Sequence, residues 1–105
     1  MNPPTIDHIK REIVTRRLSL SPKLADLAHW TFEHQAEVAF GTLQSVSREC
    51  RVPQSTVQRL AATLGFSGFK QMKAAYQIHL AQEASRRHTF HRRMLDVQSH
   101  ADNVE

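Results

Sequence analysis

The segment Thr42 to Leu64, TLQSVSRECRVPQSTVQRLAATL, constrains this chain more than any other. Its apolar and small residues follow two short helical phases with a turn between them. Leu43, Val46, Ser47 and Cys50 recur at steps of three and four and so share one helix face. Val57 and Leu60 do the same on a second helix, and Val52 falls in the turn, where it plugs the gap. Ser47 stands where the two helices are expected to cross, and a small side chain there lets the backbones approach. The outward positions of the second helix are Gln54, Ser55, Thr56, Gln58 and Arg59. All five can hydrogen-bond to base edges or phosphates, and none is acidic. Such a pair of helices predicts a helix-turn-helix, the shape that lays its second helix in the major groove of duplex DNA.

The charge distribution points the same way. The 105 residues have a net charge of +4 and a pI of about 9.8. Between Thr42 and Arg93 stand nine Lys or Arg (48, 51, 59, 70, 73, 86, 87, 92 and 93) against two acids, Glu49 and Glu83. That local excess suits a polyanionic partner. The length allows one small domain with one core. Gly and Pro are few and lie at predicted boundaries, as expected of an all-α chain. The single cysteine, Cys50, excludes an intrachain disulfide and reads as a small buried apolar residue. No apolar run approaches the roughly 18 residues of a membrane helix and no signal peptide is visible, so the expected location is the cytoplasm.

Along the chain, Thr5 or Asp7 is expected to cap a first helix reaching about Arg17, with Ile6, Ile9 and Ile13 on one stripe. Leu18 to Leu20 forms a link. Ser21 and Pro22 open the next helix as N-cap and first helical residue, followed by Leu24, Leu27, Ala28, Thr31 and Phe32 at helical spacing. Trp30 lies off that stripe and is assigned to contact with the first helix or a partner chain. His34 and Gln35 end this helix, and Glu37 to Phe40 makes one further turn. Thr42 caps the first motif helix, Arg51-Val52-Pro53 is the turn, and Gly65 is the C-terminal stop of the second. A last helix is expected from about Ser67 to the mid-80s, with Phe69, Met72, Ala75 or Tyr76, and Leu80 inward. Residues 85–105 read as a basic extension into a linker or tail, leaving 1–84 as the helix-turn-helix domain.

Four local patterns now carry a resemblance. They are Leu20-Ser21-Pro22 opening a helix, Val38-Ala39-Phe40 before the motif, Ser55-Thr56-Val57 with Arg59, and Leu64-Gly65-Phe66-Ser67-Gly68-Phe69 with Lys73. Over about Leu18 to Leu80 the chain resembles the N-terminal DNA-binding domain of the RpiR family of bacterial transcription regulators. The resemblance implies an all-α bundle of five or six helices and sequence-specific DNA binding. It departs from the family at Arg51, where a Gly is usual in the turn. A non-Gly residue at positive φ costs roughly 1 kcal/mol, and the guanidinium is placed to reach a phosphate. It departs also at Gln54 and Ser55, where the family tends to carry Glu or Ala. Family members carry a second, sugar-isomerase-like domain that binds phosphosugars. These 105 residues leave no room for it, so a phosphosugar effector is expected only where the full-length protein has that domain.

The seven histidines, His8, His29, His34, His79, His88, His91 and His100, raise a metal reading. Only His88 and His91 have a useful spacing, with no third ligand type nearby, and no metal or other cofactor is expected. No phosphate-cradling Gly-rich loop, paired carboxylates or nucleophile with a spaced base is present, which argues against an enzyme. The remaining competitor is a helical protein–protein interaction module. The expected DNA contacts are Thr42, Arg51, Gln54, Ser55, Thr56, Gln58, Arg59, Ser67 and Lys70. Thr42 would aim backbone N–H groups at a phosphate, and Ser67 and Lys70 would begin the next helix beside the DNA backbone. Short half-sites predict a homodimer. Its interface is assigned to the first helix and part of Pro22–His34, with Ile6, Ile9, Ile13, Val14, Trp30, Phe40 and Tyr76 as surplus apolar residues.

Overall fold

The computed structural model describes residues 2–102, the side chains of 96–102 excepted. Six helices follow one another: α1 Ile6–Val14, α2 Pro22–Glu33, α3 Gln35–Phe40, α4 Leu43–Cys50, α5 Gln54–Thr63 and α6 Phe69–Asp102. The predicted caps are in place. Thr5, Ser21 and Thr42 each accept the backbone N–H three residues on, from His8, Leu24 and Ser45.

One core gathers residues from all six helices and the Leu64–Phe66 link, with Val38, Val57, Leu60, Met72 and Tyr76 each 0% exposed. Helix α6 is its spine. Lys73 Nζ donates to the Gly41 carbonyl at 2.6 Å and Gln77 Nε2 to the Ala39 carbonyl at 2.8 Å, so α6 satisfies the open carbonyls at the end of α3. Tyr76 donates to Thr31 Oγ1 at 2.7 Å, and Thr31 donates to the Ala28 carbonyl at 2.7 Å. This chain of bonds lets two hydroxyls sit in an apolar interior. Burial pushes the Tyr76 phenol well above its ordinary range.

Several expectations change. Helix α1 stops at Val14, three residues early, because Arg16 takes a left-handed conformation at φ 61°. The Arg17 and Leu18 N–H groups then fold back on the Glu12 carbonyl at 2.9 and 3.0 Å. Ile6 and Ile9 are each 1% exposed in the chain's own core, and Tyr76 is also inside. These three are therefore not surplus, and α1 folds back on its own domain. Trp30 stacks on His34 with ring centroids 4.5 Å apart and lines a shallow depression with Leu27, Cys50 and Val52. Leu80 and Phe32 are only half-buried, while His79, unassigned from the sequence, is buried beside Asp7. Helix α6 starts at Phe69 rather than Ser67 and continues past the mid-80s to Asp102. No Gly or Pro follows Gly68 within that stretch, so nothing stops the helix when its apolar period ends. Residues 103–105 of the expected tail lie outside the described residues.

Candidate nucleic-acid interface

Helix α4 is eight residues long and is set by its caps. Thr42 and Ser45 form a reciprocal capping box, each side-chain oxygen accepting the other's backbone N–H at 2.8 and 3.0 Å. That box engages the N–H groups of Thr42 and Ser45 and leaves those of Leu43 and Gln44 at the helix mouth. Gly41 precedes it because a Cβ there would run into the Glu37 carbonyl and the Ser45 hydroxyl.

Hydrogen bonds among Ser47, Arg48, Arg51 and Val52 close the turn. Arg51 is left-handed at φ 58° and ψ 43°, as its position predicts, and its N–H reaches the Arg48 carbonyl at 3.3 Å. The Val52 N–H reaches the Ser47 carbonyl at 3.1 Å. Ser47 Oγ donates back to the Val52 carbonyl at 2.6 Å. Ser47 is thus a clip across the turn as well as a small residue at the crossing. Cys50 is half-buried beside it, and burial together with the Glu49 carboxylate pushes its thiol up to about 11.

Helix α5 begins after Pro53, with no side chain capping it. Val57, Leu60 and Ala61 are each 0% exposed, and they fix the rotation of the helix. Ser55, Arg59 and Ala62 then form the opposite, exposed stripe at steps of four and three. Gln54 is exposed at the first helical position, and Thr56 is half-buried on the flank. Ala62 joins the stripe although it is absent from the expected contacts; its phase with Ser55 and Arg59 is the signal that marks it. Among the described residues, no carboxylate lies within ion-pair distance of Arg48, Arg51, Arg59 or Lys70.

Two expected site residues stand differently from their assignment. Ser67 lies in the loop before α6 and gives its N–H to Gln71 Oε1 at 2.8 Å. Gln58 is exposed, yet its Oε1 accepts the Phe69 N–H at 2.9 Å, which ties α5 to the start of α6. Lys70 is exposed in the first turn of α6, and Arg51 is exposed at the turn. The expected contacts therefore lie at the mouth of α4, at the motif turn, along α5 and at the α5–α6 junction, with α5 supplying most of them. No three His, Cys, Asp or Glu side chains come together among the described residues, and no described helix is long and apolar enough to cross a membrane.

A family model for the helix-turn-helix domain of the rpiR family matches residues 8–85. No match was found among curated proteins or among solved structures. The matched span contains α2 to α5, most of α1 and the packed part of α6. The crossed helices, the clipped turn and the acid-free outer stripe thus coincide with a family match over most of the sequence, and the chain belongs to the rpiR family of DNA-binding helix-turn-helix domains.

Proposed function

We propose that this domain reads duplex DNA with α5 in the major groove, as part of a bacterial transcription regulator. The observation that carries the reading is the outer stripe of α5, acid-free and mounted on side chains with no exposure. Gln54, Ser55, Thr56, Gln58 and Arg59 enter the groove or touch its walls, and Arg59 is suited to a bidentate contact with guanine. Ala62 offers a methyl group to a thymine methyl. Thr42 holds the mouth of α4, where the Leu43 and Gln44 N–H groups meet a phosphate. Arg51, Ser67 and Lys70 contact the backbone on either side.

The role proposed is binding, not catalysis, and its setting is the cytoplasm. Where the full-length protein carries a sugar-isomerase-like domain, a phosphosugar is the proposed effector and carbohydrate genes the proposed targets. Two copies bind a palindromic site. The surface offered to the second copy is the apolar groove of Ile13, Val14, Leu20 and Phe32 between α1 and α2, where Val14 is 80% exposed. Light scattering at tens of micromolar tests this point, and a monomer there assigns dimerisation to other parts of the protein.

The main test is selection from a pool of random duplexes, followed by a salt titration on the enriched sequence. DNA binding gives one enriched motif and an affinity that falls steeply with salt through counterion release. A protein-interaction module enriches nothing and binds its partner with little salt dependence.

A further inference from the structure

Resting on the reading of α5 as the DNA-facing helix, we propose that Gln58 reads a base as a hydrogen-bond donor only, through Nε2. Its oxygen is committed to the protein. The Phe69 N–H lies 2.9 Å from Gln58 Oε1. A backbone N–H can only donate, so the end of the amide that meets it is the oxygen. The usual ambiguity between the two ends of a glutamine amide is removed by that partner.

The start of α6 explains the commitment. The residue before Phe69 is Gly68, which has no side chain with which to cap the helix. The orphan N–H groups there find two glutamines instead. Gln71 of α6 itself takes the Ser67 N–H, and Gln58 of α5 takes the Phe69 N–H. A Cβ at Gly68 would stand 3.4 Å from Gln58 Oε1, so a side chain at that position would crowd the bonded oxygen.

What remains for DNA is the amide nitrogen and its two hydrogens. Gln58 is exposed and lies three residues after Ser55 and four before Ala62, on the outward side of α5. A side-chain amide free at both ends pairs with adenine, donating to N7 and accepting from N6. An amide with its oxygen withdrawn loses the second half of that contact. It favours guanine, whose O6 and N7 both accept, or thymine through O4. Gln58 thereby sets specificity toward acceptor edges and links the pose of α5 to the start of α6.

Gln58→Glu and Gln58→Met separate the two roles. A carboxylate still accepts the Phe69 N–H but cannot donate, whereas the thioether of methionine does neither to a useful degree. Each variant is melted and put through the same selection from random duplexes as the parent. Gln58→Glu is expected to melt with the parent and to change its motif at one base pair, from guanine or thymine to cytosine, whose N4 donates. The ratio of affinities for the two motifs should move by about ten-fold or more. A ratio is the proper measure because the added negative charge weakens binding to every duplex. Gln58→Met is expected to melt lower than the parent. The proposal is overturned if Gln58→Glu leaves every base preference in place. It is equally overturned if the position altered holds adenine in the parent's motif, or if Gln58→Met melts with the parent. A parent that enriches no sequence removes the DNA reading and this proposal with it; a parent motif indifferent to Gln58→Glu removes this proposal alone.

Discussion

The two faces of α5 differ in what they demand of their residues. Inward, Val57, Leu60 and Ala61 are shut off from solvent and packed into a core built by every helix, so shape and apolarity decide what can stand there. Outward, Ser55, Arg59 and Ala62 touch little of their own chain, and many side chains would leave the fold intact. Neighbours in sequence therefore belong to different problems. Arg59 bears on what the domain binds, and Leu60 on whether there is a domain.

The harshest test of this contrast is Leu60→Asp. A carboxylate without a partner in that interior costs several kcal/mol, more than a small domain can readily absorb. Loss of a cooperative thermal transition is expected, and a melt near the parent's would mean that α5 is rotated so that Leu60 meets solvent. Arg59→Ala is the counterpart. Its melting midpoint should stay with the parent's, while affinity for the enriched duplex drops by roughly 1–3 kcal/mol. A uniform loss over all duplexes, with the salt slope reduced by about one, would move Arg59 from base edge to phosphate.

Arg51→Gly sharpens the contrast because it acts on both sides. Glycine relieves the cost of a Cβ at φ 58°, and stability should rise by up to about 1 kcal/mol in chemical denaturation. Removing the guanidinium should weaken binding to all duplexes alike. Unchanged affinity would take Arg51 out of the phosphate contacts. The smallest effect concerns Cys50. With its thiol pushed up to about 11, little thiolate exists at neutral pH, and reaction with a disulfide reagent should be slow at pH 7 and quicken toward pH 10. Fast labelling at pH 7 would place Cys50 outside the packed face of α4.

What the sequence makes legible is what is decided locally. The phases of α4 and α5, the caps Thr5, Ser21 and Thr42, and the stop at Gly65 all depend on residues within one turn of each other. The early end of α1 is hidden because Arg16 gives no signal for a left-handed residue, unlike Gly65. Tyr76 looks surplus in the sequence because its partner, Thr31, lies 45 residues away. The outward phase of Gln58 on α5 is readable, but its bond to Phe69 crosses from one helix to the next, and no periodicity encodes it. Ser67 reads as part of α6 because the loop before Phe69 is too short to show in an apolar pattern. The far part of α6 follows from composition without breakers, and its exposed Phe90 and Met94 show that tertiary packing does not hold it.

The stack of Trp30 on His34 gives the molecule an optical reporter. Trp30 is the sole indole in the chain, so tryptophan emission has one source. That source sits at the end of α2 and faces the depression lined by Cys50 and Val52, against the motif turn. Any shift of the turn alters the surroundings of this one fluorophore. Tryptophan emission can therefore follow the turn in unlabelled protein, through a DNA titration or a folding transition, with no engineered dye.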